Sequence, residues 1–166
     1  MKKFIIWNAE MPSGTKEGFM DWEANFLVQE GIVGNIQSVK QALKEREDAG
    51  STLITEQLAL PHFKIDEAKE AAIIFVQSAQ PIAEWEPGIS IDRFLCIVVP
   101  DSKNKKDLEQ LKTFFVWMAS DGILEELSLG SKEVVQGLIS QMEDWNGNDD
   151  VSGGYLSQDY YYEHKG

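Results

Sequence analysis

Two unbroken apolar runs, residues 71–76 and 94–99, constrain the fold of this chain more than any other feature. Each run has the length of a β-strand, and neither alternates with polar residues as a strand with one solvent face would. Strands of this kind are covered on both faces, which requires helices on each side of a sheet. The two runs therefore predict an α/β fold with a helix-flanked sheet.

Helical periodicity surrounds the two runs. Apolar spacing predicts a first helix capped by Ser13 or Thr15, and a second that opens at Gly34-Asn35 and stops at Gly50. Residues 81–88 are interpreted as a loop between the two strands. Three helices are predicted after the second run: one with an apolar stripe, a short one over residues 123–129, and one capped by Ser131. The predicted stripe comprises Leu108, Leu111, Phe115 and Met118.

Composition narrows the possible functions. A chain of 166 residues suits one domain, here residues 1–145, followed by an acidic Tyr/Gly-rich tail over 146–166 that we expect to be mobile. The formal charge of −13 argues against nucleic-acid binding and against docking on anionic lipid. No segment has the ~20 apolar residues that cross a bilayer. Cys96 is the single cysteine, so we expect no disulfide, no cysteine-rich zinc site and a cytoplasmic location.

The residue types that suggest chemistry lie close together in the sequence. Arg46 falls in the last turn of the second predicted helix, and His62 follows it by sixteen residues, directly after Pro61. A proline marks an edge or exit of a sheet, so His62 is placed where a strand gives way to a loop. A neutral imidazole is a nucleophile, and a guanidinium presents a planar fork to phosphoryl oxygens. The pair therefore suggests one reactive imidazole with a cation beside it.

Each of these residues also has a plainer explanation. A lone histidine at the end of a strand is more often an ordinary loop residue. Arg46 taken alone is a solvated charge at a helix end, paired with Glu45 or Asp48. Thr52 and Glu56 lie between Arg46 and His62 in the sequence. A role in a functional site and an ordinary role as a strand or surface residue explain each of them equally well.

The surrounding residues decide between these explanations. The segment Leu43-Lys44-Glu45-Arg46-Glu47-x-x-Gly50-Ser51-Thr52, followed by Leu58-Ala59-Leu60-Pro61-His62, resembles the active-site signature of the mannitol/fructose-type enzyme IIA domain. That domain belongs to the bacterial phosphoenolpyruvate-dependent sugar phosphotransferase system, and the resemblance covers roughly residues 1–145. It implies a mixed, five-stranded type of sheet with helices on both faces.

The resemblance also implies a function. His62 would accept a phosphoryl group from the phosphocarrier protein HPr and pass it to a cysteine or histidine of an enzyme IIB domain. Arg46 matches the active-site arginine of the family, and Glu56 matches an acid found six residues before the histidine. Thr52 offers a further hydrogen bond, and either Glu56 or a backbone carbonyl would hold the second ring nitrogen. No metal or cofactor is required.

Two departures from the family pattern keep a second function open. The segment over residues 53–57 has no glycine, and Asp107 stands where many members carry a second histidine. The alternative is therefore a regulatory or interaction module of the same fold, which senses phosphorylation without efficient relay. The sequence leaves the sugar served and the oligomeric state open.

Overall fold

The computed structural model describes residues 1–141 and 161–163, and this part of the chain forms five helices and seven strands. In chain order these are β1 (Lys2–Ala9), α1 (Lys16–Gln29), α2 (Ile36–Ala49), β2 (Leu53–Thr55), β3 (Leu58–Ala59), β4 (His62–Lys64), β5 (Ala72–Glu86), β6 (Ile89–Val99), α3 (Lys105–Met118), α4 (Ile123–Leu129), α5 (Lys132–Ser140) and β7 (Tyr161–Glu163).

The strands form one mixed sheet in the order β2-β3-β6-β5-β1-β7, and β4 also pairs with β6. β5 and β6 are antiparallel neighbours, whereas β1 runs parallel to β5. β3 and β4 lie one after the other along the same edge of β6, both parallel to it. The mixed α/β fold class is therefore confirmed. The sheet has more strands than the five of the expected type, and four of its seven strands are only two or three residues long.

The two apolar runs form the centre of this sheet, and helices cover both of its faces. Phe94 and Cys96 face a core with residues of α1 and α2, including Phe19 and Leu43. Leu95 and Ile97 alternate with them and face a second core, formed with residues of α3, α4 and α5. Burial on both faces explains why the runs carry no polar alternation.

Capping residues define the ends of the two helices that lead to the candidate site. The Thr15 hydroxyl accepts a hydrogen bond from the Gly18 amide at the start of α1, and the Asn35 side chain caps α2 in the same way. Gly50 ends α2 with a φ of 149°, a conformation that favours glycine. The predicted boundaries of both helices agree with the structure to within two residues.

Residues 81–88 were predicted as a loop, and this is wrong. β5 continues through them to Glu86 and turns at Pro87 and Gly88 into β6. The register between β5 and β6 shifts between Gln77 and Ile82, and a strand tolerates Pro81 at such an irregularity because no ladder bond is required there. Ile82 and Trp85 reach the core from this extension.

The burial pattern corrects two further predictions. In α3 the buried aromatic residue is Phe114, at 1% exposure, whereas Phe115 is 37% exposed. For α5 the apolar spacing predicted that Val134 is buried together with Val135 and Ile139; Val135 and Ile139 are buried, whereas Val134 is exposed. In both helices two apolar residues are adjacent in sequence, so the pattern alone does not decide which of them faces the core. Packing against the sheet buries one residue of each pair.

The predicted tail, residues 146–166, lies outside the described residues except for β7. The backbone of Tyr161–Glu163 pairs in parallel with β1, opposite residues 5–7. No local sequence pattern predicts this strand. None of the helices in residues 1–141 combines the length and apolar character that crossing a membrane demands.

Candidate functional site

His62 is the first residue of β4, a short edge strand that pairs only with β6 among the described strands. The sequence placed it in the loop beyond a strand, and the structure places it one step later, at the start of the next strand. The Pro61 carbonyl accepts from the Ile97 amide at 2.9 Å, which ties the residue before His62 to the sheet. Strand pairing fixes the backbone of His62, and the residue is half-buried, so part of it faces solvent.

The two nitrogens of the imidazole have different partners. Nδ1 lies 2.8 Å from the carbonyl oxygen of Leu60, and a carbonyl can only accept a hydrogen bond. Nδ1 therefore carries the proton, and Nε2 keeps a free lone pair. That lone pair faces the Nε–H of Arg46 at 3.3 Å. Of the two holders expected for the second nitrogen, the structure selects a backbone carbonyl rather than Glu56.

Arg46 reaches His62 from the last turn of α2, where the helix dipole favours a cation. Its Nη1 donates to the Gly50 carbonyl at 3.0 Å, so the guanidinium is fixed at two points. The arginine and histidine that the sequence singled out are thus brought into direct contact.

The acids around Arg46 are all engaged elsewhere. Glu45 accepts from Gln41 at 3.2 Å, and Asp48 pairs with Lys44 at 3.1 Å. Glu47 pairs with Lys16 at 3.0 Å. Arg46 forms no ion pair within the described residues, so the hypothesis of a surface charge paired with Glu45 or Asp48 is wrong. Its positive charge remains available to a ligand of the imidazole.

Thr52 lies in the same region without touching the imidazole. It is 3% exposed, and its hydroxyl donates to Glu47 Oε2 at 2.8 Å. The hydroxyl oxygen of Thr52 accepts in turn from the indole Nε1–H of Trp85 at 3.1 Å. The one proton of the hydroxyl is therefore already used.

Glu56 lies in the turn between β2 and β3, exposed to solvent. In the part of the chain that the structure describes, its carboxylate makes no hydrogen bond to His62. The structure therefore brings Arg46 and His62 together and leaves Glu56 and Thr52 apart from the ring.

Asp107, which the sequence resemblance places where a second histidine was expected, is 4% exposed in the first turn of α3. Its Oδ2 accepts from the Ala71 amide at 2.7 Å, and its Oδ1 lies 3.2 Å from the amino group of Met1. Its own amide donates to Asn104. These bonds join the start of α3 to the start of β5, which is a structural role.

Sequence reasoning missed Lys16, Glu47 and Trp85, which surround Thr52. The side chain of Glu47 is only 7% exposed, and the Lys16 ammonium lies 4.8 Å from the centre of the Trp85 ring. The signal available was the requirement that a buried indole N–H find an acceptor. Nothing in the sequence indicated which acceptor that would be.

A second buried acid, Glu23, lies beneath this group. It is fully buried, and both carboxylate oxygens lack a hydrogen-bond donor of ordinary geometry among the described residues. Burial raises the pKa of Glu23 from 4.5 to about 8, the Cys96 thiol partly opposes this, and the charge of Glu47 adds to it. Burial and the neighbouring Glu23 likewise raise the pKa of the Cys96 thiol well above its usual value. Cys96 is therefore an unreactive core residue.

The arrangement supplies a nucleophilic nitrogen, a fixed tautomer and an uncompensated cation, and this is what a residue needs to carry a transferable anionic group. No cluster of three or more His, Cys, Asp or Glu side chains in the described ranges could hold a metal ion. The fold and site thus define a protein with a mixed sheet whose edge presents an imidazole beside an unpaired guanidinium, an arrangement suited to an anionic group.

Comparison with known proteins agrees with this class. Residues 3–142 match the model of the family described as phosphoenolpyruvate-dependent sugar phosphotransferase system, EIIA 2. The chain belongs to this family and is an EIIA-type component of a sugar phosphotransferase system.

Individual relatives are distant in sequence. The fructose-specific EIIA component of Haloferax volcanii is 25% identical over 142 residues, which are 80% of this chain and 88% of the relative. Among solved structures, the nitrogen regulatory protein IIA-Ntr of Neisseria meningitidis is 23% identical with a TM-score of 0.58. The alignment covers 77% of this chain and 86% of the Neisseria chain. The Escherichia coli complex of enzyme IIA-mannitol with phosphorylated enzyme IIB-mannitol has 20% identity and a TM-score of 0.55, covering 81% and 93%. The two structures show the shared fold.

Proposed function

We propose that His62 accepts a phosphoryl group from phosphorylated HPr on Nε2 and passes it to an enzyme IIB domain during sugar uptake. The observation that carries this proposal is the division of the ring nitrogens: Nδ1 is held by the Leu60 carbonyl, and Nε2 faces Arg46. A nucleophile for phosphoryl transfer needs this combination of one protonated nitrogen and one free lone pair.

The transfer is a displacement at phosphorus. The Nε2 lone pair of His62 forms the new N–P bond while the N–P bond of the donor histidine breaks and that nitrogen keeps the electron pair. The proton on Nδ1 stays in place, hydrogen-bonded to Leu60, and stabilises the charge that the ring acquires. In the second step the IIB nucleophile attacks the same phosphorus, and Nε2 becomes the leaving group.

Arg46 has two successive partners in this scheme. In the resting site its Nε–H donates to the Nε2 lone pair, which the phosphorus must occupy. When the phosphoryl group arrives, the guanidinium moves from the nitrogen to the phosphoryl oxygens. Charge neutralisation by prepositioned donors supplies most of the catalysis in such reactions. Only two of the five N–H groups of Arg46 have partners in the described residues, so three remain for those oxygens.

The partner proposals rest on family membership and on one structural neighbour. The Escherichia coli enzyme IIA-mannitol, which shares this fold, forms a complex with phosphorylated enzyme IIB-mannitol. Glu56 is exposed in the β2–β3 turn and is available to an approaching protein rather than to the ring. A cytoplasmic location follows from the proposed partners.

The direct test is phosphorylation in a reconstituted system. Wild-type protein is incubated with phosphoenolpyruvate, enzyme I and HPr, and the site of the acid-labile phosphoryl group is located by mass spectrometry. The sequence contains two histidines, His62 and His164, so H164Q is a matched control for H62Q. We expect wild type and H164Q to be labelled and H62Q to be unlabelled. An unlabelled wild type beside a labelled control domain would refute the proposal.

A second candidate function follows from Asp107. Its carboxylate is buried in structural hydrogen bonds and offers no second nucleophile. His62 is then the one imidazole in residues 1–141. A site with one imidazole suits a module that becomes phosphorylated and signals this state without rapid relay. Single-turnover transfer from phosphorylated protein to an enzyme IIB domain separates the two functions. Rapid transfer supports the relay, and a phosphoryl group that stays on His62 supports the sensor.

A further inference from the structure

The loop that joins α2 to β2 contains the second fixed point of Arg46. Gly50 provides the carbonyl that accepts from Arg46 Nη1, and Thr52 follows two residues later. Gly50 is exposed and no atom lies within 4 Å of where its side chain would begin, so packing around Gly50 itself does not hold the loop. Hydrogen bonds hold the loop instead: the Gly50 amide donates to the Glu47 carbonyl, the Ser51 hydroxyl donates to Glu86, and Thr52 anchors the end of the loop in the protein interior.

Thr52 is fixed by buried hydrogen bonds in both directions. Its hydroxyl donates to Glu47 and accepts from the Trp85 indole. Glu47 is held in turn by the Lys16 ammonium of α1, on its other carboxylate oxygen. An unbroken chain of contacts therefore runs from α1 through Lys16, Glu47 and Thr52 to the loop that fixes Arg46.

We propose that Glu47 is a positioning residue for the phosphoryl site, acting through Thr52 on the loop carbonyl that orients Arg46 toward His62. The same contacts turn the Glu47 carboxylate into the protein and away from the neighbouring guanidinium, which keeps its charge uncompensated. The inference deepens the proposed function and rests on it for the kinetic part of its test. A misplacement of about 1 Å in a positioning group can cost up to ~100-fold in rate.

The experiment removes the Thr52–Glu47 bond from each end. T52V deletes the hydroxyl and keeps the shape, T52S restores the hydroxyl, and E47A deletes the carboxylate. T55V is the matched control, because Thr55 also bonds a side-chain hydroxyl, that of Ser128, and among the described residues forms no hydrogen bond to Glu47. Thermal unfolding confirms that each variant is folded at the temperature of measurement.

The first readout does not depend on phosphorylation. The Arg46 Nε–H resonance and the His62 Nε2 shift in long-range proton–nitrogen NMR spectra report the bond between the two side chains. We expect T52V and E47A to weaken both signatures, T52S to restore them and T55V to leave them unchanged. The inference is overturned if folded T52V and E47A keep the wild-type spectra, or if T55V changes them as much as T52V.

The second readout is the rate of phosphoryl acceptance from HPr. We expect kcat to fall about 10-fold or more in T52V and E47A, with KM for phosphorylated HPr unchanged. Equal rates in wild type, T52V and E47A would overturn the inference while leaving the proposed function intact. If wild type is not phosphorylated at all, the proposed function fails, and the NMR readout still decides whether Glu47 positions Arg46.

Discussion

The Nε–H of Arg46 donates to Nε2 of His62 over 3.3 Å, although the two residues are sixteen positions apart. The arginine ends a helix and the histidine begins an edge strand, and the short β2–β3 hairpin between them leads the chain back to β6. Because both residues lie on regular elements, the scaffold sets the positions of their backbones, and the Gly50 carbonyl then orients the guanidinium.

Replacing Arg46 by Gln should slow phosphoryl acceptance by about 100-fold, because the principal cation facing the phosphoryl oxygens is lost. R46K should recover part of the rate, since lysine restores the charge without the planar fork. Single-turnover transfer from phosphorylated HPr measures both. K44Q is the matched control, because Lys44 is an exposed cation of the same helix that pairs with Asp48. Transfer by R46Q at the rate of K44Q would remove Arg46 from the mechanism.

The His62 ring should be the Nδ1–H tautomer, because its Nδ1 lies against the Leu60 carbonyl. Long-range proton–nitrogen NMR distinguishes the two tautomers directly, and His164 in the same spectrum serves as the internal comparison. After phosphorylation, coupling to phosphorus should appear on Nε2. A ring protonated on Nε2 in the resting protein, or phosphorus attached to Nδ1, would contradict the assigned geometry.

The central sheet and its helices could be predicted from the sequence because long-range packing and local pattern agree there. The runs at 71–76 and 94–99 became the centre of the sheet, and Thr15, Asn35 and Ser131 cap their helices as expected. The sequence pattern did not predict the extension of β5. Its segment is rich in turn residues, and only the tertiary fold buries Ile82 and Trp85 there. Strand β7 depends on pairing with β1, which no local signal indicates.

Of the candidate site, the sequence predicted the two side chains that the structure brings into contact, Arg46 and His62. Arg46 and His62 have a characteristic spacing, whereas the groups that hold them do not. The carbonyls of Leu60 and Gly50 are backbone atoms, so no residue type identifies them in the sequence. Glu47 is distinguished from the other acids of its helix only by its contacts with Thr52 and Lys16 in the folded protein. The groups that hold Arg46 and His62 in place are defined by tertiary contacts, so their spacing in the sequence does not identify them.

Asp107 should contribute to stability and not to phosphoryl acceptance. D107N removes the ion pair with the Met1 amino group and weakens the bonds that the carboxylate accepts from the Ala71 amide and the Asn104 side chain, so we expect a loss of about 1–3 kcal/mol in the free energy of unfolding. Urea denaturation measures this loss, with the exposed D66N as control. Acceptance per folded molecule should match wild type. A D107N protein of unchanged stability that accepts phosphoryl slowly would show instead that Asp107 belongs to the site.

The buried carboxyl of Glu23 should make the protein less stable as the pH rises. Its pKa in the folded state is about 8 against 4.5 for the free side chain, so the unfolded chain releases this proton first. Stability is fully present below about pH 4.5 and is lost progressively up to about pH 8, by on the order of a few kcal/mol. E23Q keeps the shape and cannot ionise, so its stability relative to wild type should increase over this range. Urea denaturation of both proteins between about pH 5 and about pH 9 measures the difference, and E133Q, which changes an exposed acid of α5, should follow wild type. Parallel curves for wild type and E23Q would show that Glu23 is ionised in the folded protein throughout, and would require a buried partner for its charge.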